Sequence, residues 1–180
     1  MRLRWAYPDD AAAIAGIYAP YVSGSVVSFE TEAPDEAEVR RRIEAGGALH
    51  PWIVAQADDA VIGYAYAGTF RPRAAYAHAV ETSVYLAADA HGRGSGRRLY
   101  AKLIDILVAQ GFTQAIAAIA LPNEASARLH EALGFVRAGI YRQVGYKLGE
   151  WHDVGLWQRT LAPASNPPRE LVPFARTDLL

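Results

Sequence analysis

From Val84 to Arg98 a strand-like run breaks into alternating glycines and then into a helix-like pattern. Gly92, Gly94 and Gly96 free the backbone to turn its N–H groups inward on an anion. The start of the following helix adds a partial positive charge, and Arg93, Arg97 and Arg98 add full ones. With His91 before it and Ser95 within it, the loop has the chemistry of a diphosphate site; the alternative is a solvated turn ahead of a basic helix. It is not a P-loop, because Arg97-Arg98 stands where a Lys-Ser/Thr pair is required. Nor is it a dinucleotide fingerprint, since it lies mid-chain after antiparallel strands rather than in an early βαβ unit. Just upstream, Glu81 shares one strand face with Ser83 and Tyr85, opposite Thr82, Val84 and Leu86. A carboxylate there could take a proton from an amine if its pKa were raised or a water intervened; the alternative is a strand glutamate facing solvent. Downstream, Asn123 and His130 stand seven apart on one helix face, with Ser126 and Ala127 between them. Their alternatives are a plain N-cap and a structural histidine. Arg71 and Arg73 flank Pro72 and could hold a carboxylate or phosphinate by paired hydrogen bonds, or simply sit in a solvated loop.

The elements that must position these groups can be read from pattern. Leu3 to Trp5 is a short strand. Pro8-Asp9-Asp10 opens a helix through Tyr18, and Pro34 opens a second with acids first and Arg40, Arg41 and Arg42 late. Strands follow over Trp52–Ala55, Val61–Phe70 and His78–Leu86, with a turn at Asp58-Asp59. Gly94 to Gln110 is a helix with Leu99, Leu103, Ile106 and Leu107 on one face, ended by Gly111. Ala115 to Ala120 has the continuous apolar run of a strand buried on both faces. Asn123 caps a helix to Leu133 that Gly134 stops, and two aromatic-rich strands turn at Leu148-Gly149-Glu150. Antiparallel strands followed by a strand-helix-strand unit imply an α/β chain with one mixed sheet and helices on both faces.

The chain has 180 residues, no cysteine and a formal net charge of −1. One domain of this size buries a core without staples. Disulfides, thiolate metal sites and a cysteine nucleophile are excluded. The charge balance gives no support for nucleic-acid or membrane binding, no apolar run reaches a membrane span, and the N-terminal residues lack a secretory signal, so a cytoplasmic protein is expected. A proline-rich stretch beginning at Ala162 divides residues 1–161 from an extended tail over 162–180.

The segment His91-x-x-Gly94-x-Gly96 resembles the coenzyme A pyrophosphate loop of the GNAT N-acetyltransferases, with His91 in place of the usual Gln or Arg. Leu121-Pro122-Asn123-Glu124 leading to His130-Glu131-Ala132-Leu133-Gly134-Phe135 is similar to the helix that follows in that fold. Phe29-Glu30-Thr31-Glu32, Tyr64-Ala65-Tyr66-Ala67-Gly68, Glu81-Thr82-Ser83-Val84-Tyr85 and Trp151-His152-Asp153-Val154-Gly155 narrow the likeness to phosphinothricin and methionine sulfoximine/sulfone acetyltransferases, from about Arg4 to Leu161. The resemblance implies a mostly antiparallel sheet with one splayed parallel pair, and acetyl-CoA as co-substrate with no metal. It implies pantetheine pairing at Val84, Tyr85 and Leu86, the Leu86 N–H as oxyanion donor, and pyrophosphate on the Gly92–Gly96 backbone. Asn123 and Ser126 would lie beside the pantetheine, while Glu81 and His130 would handle protons. Phe29, Glu30, Arg71, Arg73 and Tyr76 would meet a small amino acid, with Tyr141, Trp151 and His152 near them. The C-terminal strands would build a homodimer. The rivals are an acetyltransferase for protein N-termini or another amine, and a coenzyme-binding module without turnover.

Overall fold

A computed structural model describes residues 1–174. Eleven principal elements run β1 (Arg2–Trp5), α1 (Ala11–Ser23), α2 (Glu36–Gly46), β2 (Trp52–Ala57), β3 (Ala60–Thr69), β4 (Ala79–Leu86), α3 (Ser95–Gln110), β5 (Gln114–Ala120), α4 (Glu124–Ala132), β6 (Val136–Lys147) and β7 (Glu150–Thr160). The seven strands form one sheet in the order β1-β2-β3-β4-β5-β7-β6. Every neighbouring pair is antiparallel except β4 and β5.

Each helix begins and ends where side-chain chemistry makes it. The Asp35 carboxylate accepts from the Glu38 N–H at 2.8 Å and starts α2. Gly94 (φ 76°) precedes α3, and Gly111 (φ 93°) stops it with its N–H on the Leu107 carbonyl. Helix α1 runs past its expected end at Tyr18, through Pro20 to Ser23. Proline removes one donor, but burial of Ile14, Ile17, Tyr18 and Val22 on one side carries the helix through it. The arginines of α2 sit mid-helix rather than in the last turn. Within the helix Arg40 pairs with Glu36, and Arg41 and Arg42 pair with Glu38; Arg40 also reaches Asp9 and Arg42 also reaches Glu30 outside it.

Two apolar layers sandwich the sheet. On one face α3 packs Leu99, Leu103, Ile104, Ile106 and Leu107 against Ile53, Ala65, Val80 and Ala115. Each buried Leu, Ile or Val there contributes roughly 2 kcal/mol by leaving water. On the other face α1 and α2 cover Val54 and Tyr64. Strand β5 differs from its expected two-sided burial: Ala115, Ala117 and Ile119 are buried, but Ala118 is exposed, because no helix covers that face of β5.

The last hairpin turns on Leu148 (φ 53°) and Gly149 (φ 87°), two successive positive-φ residues that match strand twist. Between Tyr141 and Gly145 the ladder slips. Gln143 enters the left-handed region (φ 48°) and gives its N–H to Asp153 at 2.8 Å. Beyond β7 the chain doubles back. The Val172 N–H reaches the Gln110 carbonyl (2.9 Å), the Phe174 N–H reaches the Ala48 carbonyl (3.1 Å), and Phe174 stacks on Trp5 at 4.5 Å.

Candidate active site

The parallel pair holds for only three positions: Ala79 with Gln114, Val80 with Ala115 and Glu81 with Ile116. Past them β4 and β5 part. Thr82 closes the fork: its buried hydroxyl donates to the Ile116 carbonyl (3.2 Å) and accepts from the Tyr100 hydroxyl (2.7 Å). The alternation expected for β4 is realised. Val84 and Leu86 pack toward α3, while Tyr85 packs among Tyr18, Tyr21 and Tyr64.

Three neighbouring spaces lie around the fork. A slot of about 50 Å³ lies between the strands, walled by Thr82, Ser83, Val84, Tyr85, Ala117 to Ala120 and His130. It shares Val84, Tyr85, Asn123 and Ser126 with a cleft of about 300 Å³ that continues along Leu86 to His91 and Gly96. It shares Ala118 with a third space of about 430 Å³, mostly apolar, bounded by Phe29, Phe70, Ile116, Leu156 and Trp157, with Glu81 and Arg71 as its charged groups.

At the far end of the cleft, Gly92 (φ 74°) and Gly94 (φ 76°) adopt a conformation that β-carbons resist, and a Cβ at either would point into open space. Gly96 is glycine for a different reason: a Cβ there would lie 3.2 Å from the Leu86 side chain, so it lets α3 approach β4. Ser95 and Gly96 are buried, while Arg93 and Arg97 are exposed. His91 is engaged with the protein itself. The Tyr21 hydroxyl donates its one hydrogen to the Leu86 carbonyl at 2.7 Å, so the 2.9 Å contact with His91 is a donation from Nε2. Tyr21 is the residue missing from the sequence reading. It lies one turn beyond Tyr18 on the same face of α1, a periodicity that was open to view once the helix was carried through Pro20.

Asn123 caps α4, its side-chain oxygen accepting from the Ser126 N–H at 3.1 Å, which leaves its amide NH₂ for a ligand. His130, only 3% exposed, donates from Nδ1 to the Ser126 carbonyl at 2.7 Å. A carbonyl can only accept, so Nε2 carries the lone pair. Burial holds the imidazole's pKa below its ordinary value, against the opposing pull of that carbonyl, and the ring is neutral at pH 7. Tyr100 and Phe135 meet it edge-on at 4.9 and 5.2 Å. Glu81 makes no hydrogen bond or ion pair among the described residues. Its surroundings in the third space push its carboxyl pKa up by desolvation, although the side chain stays open to solvent.

The groups expected around an acceptor divide. Phe29, Arg71 and Glu81 line the third space, as does Tyr141. Glu30, Arg73 and Tyr76 do not line it. The Glu30 carboxylate is held by both terminal guanidinium nitrogens of Arg42 (2.8 and 3.0 Å) and the Tyr18 hydroxyl (3.0 Å), so it anchors a loop. Tyr76 meets Phe70 edge-on, and the Arg71 guanidinium lies over both rings at 5.9 and 5.2 Å. Arg73 precedes a short 3-10 turn and is exposed. Of the tryptophans, Trp5 and Trp157 are core, while Trp151 is 60% exposed beside exposed Tyr146 and Val144.

Residues 3–156 match the acetyltransferase (GNAT) domain family. The chain is 42% identical to the phosphinothricin N-acetyltransferase of Streptomyces viridochromogenes, over 98% of this chain and 96% of that one. It is 36% identical to an L-methionine sulfoximine/L-methionine sulfone acetyltransferase of Pseudomonas paraeruginosa, over 88% and 94%. Its fold superposes on a phosphinothricin acetyltransferase of Sinorhizobium meliloti, solved with acetyl-CoA, with a TM-score of 0.85 at 40% identity, covering 88% of this chain and 87% of the other. The parted parallel strands, the glycine turn into α3 and this likeness along nearly the whole chain place the protein in the GNAT family of N-acetyltransferases.

Proposed function

We propose that the protein acetylates the α-amino group of a small amino acid of the phosphinothricin, methionine sulfoximine or methionine sulfone type, using acetyl-CoA. The observation that carries this reading is Glu81: a carboxylate without a partner among the described residues, its pKa raised, at the last paired position of β4 and β5 and lining an apolar space of about 430 Å³ that also holds Arg71. The coenzyme fits the residues present. The Gly92–Gly96 turn offers N–H groups at a helix start for the pyrophosphate, and the parted strands offer backbone for the pantetheine.

In this reading the amino acid's carboxylate or polar head pairs with Arg71 and its apolar part lies along Phe29, Ile116 and Leu156. Glu81 takes one proton from the ammonium, directly or through water, and frees the nitrogen lone pair. That lone pair forms the N–C bond to the thioester carbonyl, and the Leu86 N–H stabilises the oxygen's developing charge. Collapse breaks the C–S bond. The second nitrogen-bound proton reaches the departing thiolate by way of His130 Nε2, whose lone pair receives it first. No acyl-enzyme is needed. The exposed apolar edge at Tyr146, Leu148 and Trp151 supports pairing of two copies through the C-terminal hairpin.

The test is acetyl-CoA-dependent thiol release with L-phosphinothricin, L-methionine sulfone, L-methionine sulfoximine, common amino acids and N-terminal peptides. Preferential turnover of the first three is expected. Turnover of peptides alone would overturn the acceptor assignment.

A further inference from the structure

Lys147 is the buried residue of β6, and nothing in the reaction above employs it. Its Nζ donates to two backbone carbonyls, Val22 and Ser28, each at 2.6 Å. Val22 lies in the last turn of α1, where helix carbonyls carry partial negative charge. Ser28 directly precedes Phe29, a wall of the space at Glu81. Burying an ammonium is costly, and an apolar side chain of similar size would fill the volume without that cost. What the apolar side chain could not do is bind the end of α1 and the loop after it to the C-terminal hairpin. The same hairpin receives Phe29 itself. A Cβ on Gly145 would fall 2.0 Å from the Phe29 ring, so only glycine lets the ring lie there. From the other side, the Tyr18 hydroxyl meets the Ser28 hydroxyl at 2.6 Å. Burial lowers the Lys147 pKa while Glu30 opposes that shift.

We propose that Lys147, together with Gly145, is a positioning residue for the acceptor: it fixes the 22–29 loop on the hairpin and so sets where Phe29 stands over Glu81. This rests on reading that space as the acceptor site. The test compares Lys147→Met with the unaltered enzyme, using L-methionine sulfone or whichever panel acceptor is turned over fastest. The acceptor KM should rise about tenfold or more while the acetyl-CoA KM stays within about twofold, because only one substrate's wall has moved. Amide exchange over 22–29 should speed up without a matching change in α3. If Lys147→Met does not fold, Gly145→Ala carries the same expectation. Its effect should then disappear on a Phe29→Ala background, where the clash is gone. Equal rises in both KM values, or an unmoved acceptor KM with normal exchange, would overturn the proposal. Glu81→Gln in the same assay separates the two failures: if it too leaves kcat intact, the acceptor reading is at fault, not the clamp.

Discussion

The two sides of the cleft are assembled in different ways. The cleft proposed for the coenzyme is lined mainly by two short stretches, Val84–Gly96 and Asn123–Leu129, each a strand end or loop running straight into a helix, with Tyr21 and Val27 added from α1 and the loop after it. The side proposed for the acceptor is gathered from the loop after α1, the Phe70–Arg71 turn, the start of the β4–β5 fork and both C-terminal strands. A locally encoded site keeps its geometry as long as its own turn and helix form. A gathered site depends on how distant segments are fastened together, so its shape can be altered by changes that touch no substrate. This predicts that coenzyme handling is robust to changes elsewhere and that acceptor choice is tunable.

The largest expected effect tests the point where the two sides meet. Glu81→Gln should lower kcat by on the order of 100-fold or more with acetyl-CoA binding nearly unchanged, measured by steady-state kinetics and calorimetry. In the proposed mechanism Glu81 acts ionised, so activity should be present above that group's raised pKa and fall as pH drops through it, at a pH above glutamate's ordinary value. The same desolvation penalises the folded state while the carboxylate is charged. The Gln variant should therefore melt no lower than the parent at neutral pH, and that advantage should fade as pH falls through the raised pKa. Gly94→Val strikes the coenzyme side alone. A β-branched residue at φ 76° is strained and fills the anion turn, so acetyl-CoA affinity should drop on the order of 100-fold. Unaltered affinity would remove the turn from the coenzyme site. On the acceptor side, Arg71→Ala should raise the acceptor KM about tenfold and Arg73→Ala should leave it unmoved. Equal effects would mean the arginines act by charge rather than by place. Smallest, Tyr21→Phe removes the hydroxyl joining Leu86 and His91, and should raise the acetyl-CoA KM by about threefold. A much larger loss would show that α1 governs the coenzyme side and would weaken the contrast.

The same contrast explains what could be read from sequence. The glycine turn, the Asn123 cap and the face shared by Glu81, Ser83 and Tyr85 are local rules, and all three appear in the structure as read. The engagement of Glu30 by Arg42 is not legible, because the two lie across a loop and a helix and no spacing rule announces such a pair. Gly145 and Lys147 escaped notice for the same reason: their contacts with Phe29, Val22 and Ser28 span most of the chain. The exposure of Ala118 could not be seen either. A run of alanines and isoleucines reads as doubly buried, and only the absence of a covering helix leaves one face open.

Trp5 and Phe174 lie face to face, so the returning tail covers the buried ring of the first strand. Strand and tail are remote in sequence yet share this contact. A chain cut back to Leu161 would therefore lose the ring that lies on Trp5, and the first strand would loosen together with a segment far from it along the chain.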